Sequence, residues 1–232
     1  MSDVKLITMI GEPVTAKSTL AKELGKHLNA PVIELDNVHF EFIERNPFAG
    51  YPLLPDENGR NYFARMLMNG TMPKEKFVEW YHDAIPYLEY RMDEILECIM
   101  SLPSGTPQKV IEEKVGNVLI YTPNYLDKKF IVVNHNFIGK MRLQKQAFQT
   151  ISNIVDDREK QKKMFLSREN FDGFRDSSLD LYFESFTDFI CKTDLSTDFI
   201  LNIVYGPDDF KRIEQIAKEI KSRETNFQKA PS

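Results

Sequence analysis

The sequence predicts an α/β fold in three layers, with one parallel sheet of roughly five strands covered by helices on both faces. Two observations carry this. Leu6, Ile7, Met9 and Ile10 form a nearly unbroken apolar run, the pattern of a central parallel strand buried on both faces. Beyond it, short apolar runs alternate with helical patterns as far as the C-terminus, uninterrupted by any internal repeat or low-complexity segment.

Each element follows from its own signals. The first strand turns at Gly11 and leads into a helix with Leu20, Ala21, Leu24 and Leu28 on one face, and Asn29-Ala30-Pro31 supplies the stop. Val32-Ile33-Glu34-Leu35 is the second strand. Asp36-Asn37-Val38-His39-Phe40 then opens a stretch punctuated by Pro47, Gly50, Pro52, Pro55 and Gly59, which reads as a substrate-side loop. Residues 61–69 and 75–100 have helical character, with Pro86 the expected break in the longer one. Trp80, Tyr81, Ala84, Tyr87, Leu88, Met92, Ile95, Leu96 and Ile99 are its apolar positions and read mostly as core rather than as the wall of a ligand pocket.

After a breaker-rich loop over 101–107, residues 117–121 and 130–134 read as further buried strands of the parallel sheet. The pattern over 138–154 reads as helix, and 156–163 is a charged, solvated block that ends near Arg168. Residues 199–204 form the last strand, which turns at Gly206-Pro207 into a helix with Phe210, Ile213, Ala217 and Ile220 on one face. The tail beyond Arg223 is expected to fray.

A chain of 232 residues, 42% of them hydrophobic, is long enough for one substantial domain. It is taken as 1–223, with a helical substrate-side insertion at 37–100, a lid-like segment at 155–175 and a flexible tail at 224–232. The formal charge of −5 disfavours a general nucleic-acid coat. Cys98 and Cys191 lack metal-ligand spacing, so no disulfide framework or zinc site is expected and both read as buried thiols. No signal peptide precedes the first strand and no apolar run approaches a membrane span, which predicts a cytoplasmic protein with no membrane partner.

The chemistry concentrates where the first strand meets the first helix. Gly11 and Lys17-Ser18 stand at the spacing of a Walker A loop, GxxxxGK[ST], whose backbone N–H groups cradle phosphates while the lysine reaches the terminal ones and the hydroxyl holds Mg²⁺. The helix N-terminus adds aligned N–H groups and a partial positive charge. Ala16 replaces the second glycine of the motif; a positive φ there would cost roughly 1–2 kcal/mol. Ligands of such sheets gather at the C-terminal ends of the strands, so Gly11, Asp36 and the Tyr121 region should converge on one rim.

The segments GEPVTAKST, VIELDNVHF, DREKQKKMFLSR and FILNIVYGPDDF together resemble the P-loop small-molecule kinases, a group that includes uridine kinase, nucleoside-monophosphate kinases and dephospho-CoA kinase. The resemblance implies an ATP- and Mg²⁺-dependent phosphotransferase acting on a small acceptor, a nucleoside or nucleotide ahead of a CoA-precursor-like molecule. By the same resemblance Gly11, Thr15, Ala16, Lys17, Ser18 and Thr19 hold the nucleotide, with Lys17 at the β- and γ-phosphates. Ser18 and Asp36 serve the metal, and Asp36 stands beside the acceptor hydroxyl as base or water-mediated metal contact. Arg158 and Arg168, with Arg142 before them, are the lid cations that offset charge on the transferred group. His39, near Asp36, reads as structural.

Many such kinases end the third strand in a carboxylate, whereas Leu119-Ile120-Tyr121-Thr122-Pro123 offers none. That absence and Ala16 motivate a second reading, a non-catalytic nucleotide-binding regulator on a kinase scaffold. A guanine-specific switch is disfavoured because no Asn-Lys-x-Asp motif is present.

Overall fold

A computed structural model describes residues 4–69, 73–103, 105–116, 118–121, 129–136, 141–169, 183 and 197–229. The strands are β1 (Lys5–Gly11), β2 (Val32–Glu34), β3 (Leu119–Tyr121), β4 (Phe130–His135), β5 (Gln149–Ile154) and β6 (Phe199–Asn202). They form one sheet in the order β3-β2-β4-β1-β5-β6. All neighbours run parallel except β3, which pairs antiparallel with β2. The helices are α1 (Lys17–Leu28), α2 (Asp36–Arg45), α3 (Gly59–Asn69), α4 (Lys74–His82), α5 (Ala84–Ser101), α6 (Gln108–Val115), α7 (Arg142–Lys145), α8 (Arg158–Glu169) and α9 (Pro207–Lys229).

Side-chain alternation along the strands divides the core between the two faces of the sheet. Ile7 and Met9 of β1 join Leu20, Ala21 and Leu24 of α1 and Ile213, Ile216 and Ile220 of α9 in one cluster. On the opposite face Ile33 of β2 and Ile131 and Val133 of β4 meet Val38 of α2, Trp80 of α4 and Leu88, Met92 and Ile95 of α5. The layers pack closely at Gly25, where a Cβ would lie 2.5 Å from Val32 Cγ2. α1 ends in a left-handed turn at Asn29 (φ 55°), with Ala30 N–H donating to Gly25 O at 2.8 Å, so the chain reverses directly into β2.

Several expectations are corrected. Residues 149–154 are a strand, not the end of a helix: Thr150, Ser152 and Asn153 broke the apolar pattern, yet Thr8 Oγ1 donates to Thr150 Oγ1 at 3.2 Å and Asn153 Nδ2 to Thr15 O at 2.9 Å. β3 is an antiparallel edge, so it is not a member of the parallel set. The break between the long helices falls at Asp83, because Pro86 lies in the first turn of α5, where its missing N–H has no helical acceptor to lose. Phe210 is 43% exposed, the buried face of α9 running instead through Ile213, Ile216, Ala217 and Ile220. That helix continues past Arg223 to Lys229, with buried Glu224 ion-paired to Lys129 at 2.8 Å. Cys98 is a free, half-buried thiol, and Cys191 lies outside the described residues.

Candidate active site at the phosphate loop

The bend between β1 and α1 has Walker A form with few glycines. Ala16 adopts the left-handed conformation (φ 55°, ψ 16°) as the N-cap of α1, and Val14 also has positive φ (60°). The Ala16 geometry costs about 1–2 kcal/mol and branched Val14 at least as much. Gly11 is needed for close approach, since a Cβ there would lie 2.5 Å from Asn153 O and 2.8 Å from Thr15 Oγ1.

Side chains tie down the carbonyl of each residue from 12 to 15. Lys17 Nζ and Thr15 Oγ1 donate to Glu12 O at 2.7 and 2.8 Å, and Gln161 Nε2 donates to Pro13 O at 2.9 Å. Tyr205 O–H donates to Val14 O at 2.7 Å, and Asn153 Nδ2 to Thr15 O. Because C=O and N–H point in opposite directions across a trans peptide, these ties turn the N–H groups of Val14, Thr15 and Ala16 away from the tethers, the arrangement of an anion-binding nest.

Ser18 sits between the ends of β2 and β4. Asn134 Nδ2 donates to Ser18 Oγ at 3.0 Å, and the Glu34 carboxylate, register partner of Asn134, is hydrogen-bonded to the same hydroxyl. Burial pushes the Glu34 carboxyl above its usual range; Lys22, with Nζ 3.6 Å from Oε1, pulls it down, and nearby Asp36 raises it again. The strand where an acidic end was expected, β3, is the sheet edge; the strand between β1 and β2 is β4. It closes with Asn134-His135-Asn136, so the nearest strand-end carboxylate is Glu34 on β2. Asn134 Oδ1 is buried with no hydrogen-bond partner among the described residues. A hydroxyl, a buried amide oxygen and two neighbouring carboxylates fit a hydrated Mg²⁺, which takes oxygen ligands and keeps several waters. Among the described residues there is no group of three or more His, Cys, Asp or Glu side chains arranged to hold a metal ion.

The loop opens on a cavity of about 340 Å³ whose walls include Ala16, Lys17, Ser18, Thr19 and Asp36. One wall is aromatic, formed by the mutually contacting rings of His39, Phe40, Phe63 and Tyr81, with Asn136 and exposed Arg60 adding polar groups. The His39 and Tyr81 rings meet edge-on with centroids 4.2 Å apart. Full burial lowers His39 to about 3, and burial followed by the Asp36 charge pushes the Tyr81 phenol up, so both are neutral at pH 7.

Of the residues expected at the site, Ala16, Lys17, Ser18, Thr19 and Asp36 share this cavity, while Gly11 and Thr15 support the loop from behind. Arg158 lies against the loop but grips the Glu12 carboxylate, through Nη1 and through Nη2 at 3.0 Å. Arg142 does not join the site; it pairs with Asp93 of α5 at 2.5 Å. The side chain of Arg168, near the end of α8, lies outside the described residues. Glu34, Asn134 and Glu12 were missed. Glu34 carries a legible signal, a carboxylate two residues before Asp36 in an otherwise apolar strand, whereas Asn134 becomes meaningful only once β4 is known to flank β1.

The fold and the Walker A-like bend resemble those of the P-loop small-molecule kinases. No protein-family model matches the chain. Its sequence is similar to the dephospho-CoA kinase of Prochlorococcus marinus (strain MIT 9312), 25% identical over 187 aligned residues that span 72% of this chain and 87% of the relative. TT1252 from Thermus thermophilus shares the fold with a TM-score of 0.56 at 12% identity, covering 94% of this chain and 98% of its own. A protein from Chloroflexus aurantiacus, provisionally assigned as a kinase, gives 0.50 at 15% identity over 94% and 98%. No described helix is long and apolar enough to cross a membrane.

Proposed function

We propose that the chain transfers the terminal phosphate of ATP to a small acceptor seated on the aromatic side of the cavity, a nucleoside or nucleotide. The observation that carries the reading is that the loop, Lys17, Ser18 and Asp36 border the same cavity as that aromatic wall. The Val14, Thr15 and Ala16 amides and the α1 N-terminus provide the anion cradle, and Lys17 supplies a buried cation beside it. Ser18 would hold Mg²⁺ directly, with Asp36 and Glu34 reaching it through water. When bound, the ion supplies charge neutralisation on the phosphates. Asp36, at the first turn of α2, orients the acceptor hydroxyl and accepts its proton. Phe40, Phe63 and Tyr81 favour a planar ring over a polyol, and Arg60 at the mouth suits an acceptor phosphate. Likeness to a dephospho-CoA kinase keeps a CoA precursor among the acceptors to be tried.

A panel of nucleosides, nucleotides and dephospho-CoA, assayed for phosphate transfer from Mg-ATP, tests the reading with Lys17→Ala and Asp36→Asn as controls. Both variants should lose at least about 100-fold in turnover on the best acceptor, the size expected when a general base or a principal electrostatic contact is removed. Full turnover by Asp36→Asn would refute its assigned role. Asn134, an amide and not a carboxylate at the end of β4 beside Ser18, favours the second reading of a nucleotide-binding regulator. Tight Mg-ATP binding with no transfer to any acceptor would support that alternative.

A further inference from the structure

Glu12 is an unusual neighbour for a triphosphate. It places a buried carboxylate inside the loop whose amides form the anion cradle, and Coulomb repulsion between the two would oppose binding. The charge is not left alone. Arg158 holds both carboxylate oxygens from the first turn of α8, and Gln161, fully buried one turn on, donates to Glu12 Oε2 at 3.0 Å and to Pro13 O at 2.9 Å. The Arg158 guanidinium is braced in turn by Gln161 Oε1 at 2.8 Å and by the Phe183 ring, 5.1 Å from its centroid. A bidentate arginine–carboxylate pair fixes orientation as well as charge.

We infer that Glu12, Arg158 and Gln161 are positioning residues, a clamp from α8 that holds the glycine-poor loop in its anion-binding shape and cancels the one negative charge within it. Arg158 then acts on the nucleotide through Glu12 and not as a direct phosphate ligand. The clamp is needed here because Val14 and Ala16 occupy left-handed geometry without being glycine, so the loop requires external ties to stay formed. The inference rests on the proposed nucleotide site and assigns a role to the α8 arginine that the kinase resemblance does not.

A double-mutant cycle separates the alternatives. Mg-ATP and inorganic tripolyphosphate affinities are measured by calorimetry for the wild type, Arg158→Met, Glu12→Gln and the double variant, with Arg158→Lys as a milder change should the methionine variant fold poorly. The clamp predicts that Arg158→Met weakens both ligands at least tenfold, that Arg158→Lys gives an intermediate loss, and that Arg158→Met costs less than about threefold once Glu12→Gln is already in place. It also predicts that KM for ATP rises while kcat on the best acceptor stays within about threefold, because an ordered loop serves ground and transition states alike. If Arg158→Met costs as much affinity in the Glu12→Gln background as in the wild type, Arg158 is a direct phosphate ligand and the clamp is overturned. A wild-type protein that binds neither ligand would overturn the nucleotide site itself, and the clamp with it. Wild-type binding without coupling defeats the clamp alone.

Discussion

Ala16 is where local strain and proposed function meet. Its left-handed backbone is what a glycine would adopt freely, so Ala16→Gly should stabilise the protein by up to about 1 kcal/mol, the steric relief being partly offset by the greater unfolded-state entropy of glycine. Denaturant titration checks this, and a destabilised variant would mean that the Ala16 methyl contributes more by packing than it costs in strain. Gly11→Ala should act in the opposite sense, losing of order 1–3 kcal/mol because the added Cβ meets the Asn153 carbonyl. His39 gives a pH signature. Its folded value, depressed to about 3, lies below the ordinary 6.5, so its neutral form stabilises the fold above pH 6.5. That contribution fades as pH falls from 6.5 towards 3, by up to about 1.4 kcal/mol per unit. Relative to His39→Phe, the wild type should therefore lose stability steadily between about pH 6.5 and 4; parallel profiles would show that His39 titrates normally.

Between elements, β2 and β4 bring Glu34 and Asn134 together around Ser18, and the arrangement opposes stability to function. The Glu34 carboxyl is raised above its unfolded value chiefly by burial, so as pH climbs above about 4.5 the folded state bears an ionisation penalty that the unfolded chain does not. Glu34→Gln should therefore gain stability relative to wild type as pH rises from about 4 to 8, while weakening Mg²⁺-dependent nucleotide binding. Chemical denaturation at both pH values tests the first half, and magnesium titration of ATP affinity tests the second. A gain that does not grow with pH would contradict the burial argument.

Element by element, what the sequence disclosed followed the apolar pattern. β1, α1 and β2 are legible because Leu6, Ile7, Met9 and Ile10 and then Leu20, Ala21, Leu24 and Leu28 recur at strand and helix spacing, and Lys17-Ser18 falls at a spacing with few competing explanations. β5 was hidden because its polar residues bond to β1 and to the loop, so their burial is satisfied at long range and leaves no local periodicity. Arg158 shows the same limit within the site. A basic residue near the lid was visible, but its partner Glu12 lies 146 positions away and emerged only from the fold.

At the scale of the molecule, the two core clusters hold the sheet between α1 and α9 on one face and the α2–α6 layer on the other, leaving the strand C-terminal edge for the cavity. Ligands that bind only the folded form stabilise it by mass action, about 2.7 kcal/mol at a hundredfold excess over Kd. The most direct test of the account is therefore thermal unfolding with and without saturating Mg-ATP, for the wild type and Lys17→Ala. A concentration-dependent rise in Tm for the wild type that Lys17→Ala loses is the predicted result. No rise, or the same rise in both proteins, would contradict the claim that this loop grips a triphosphate.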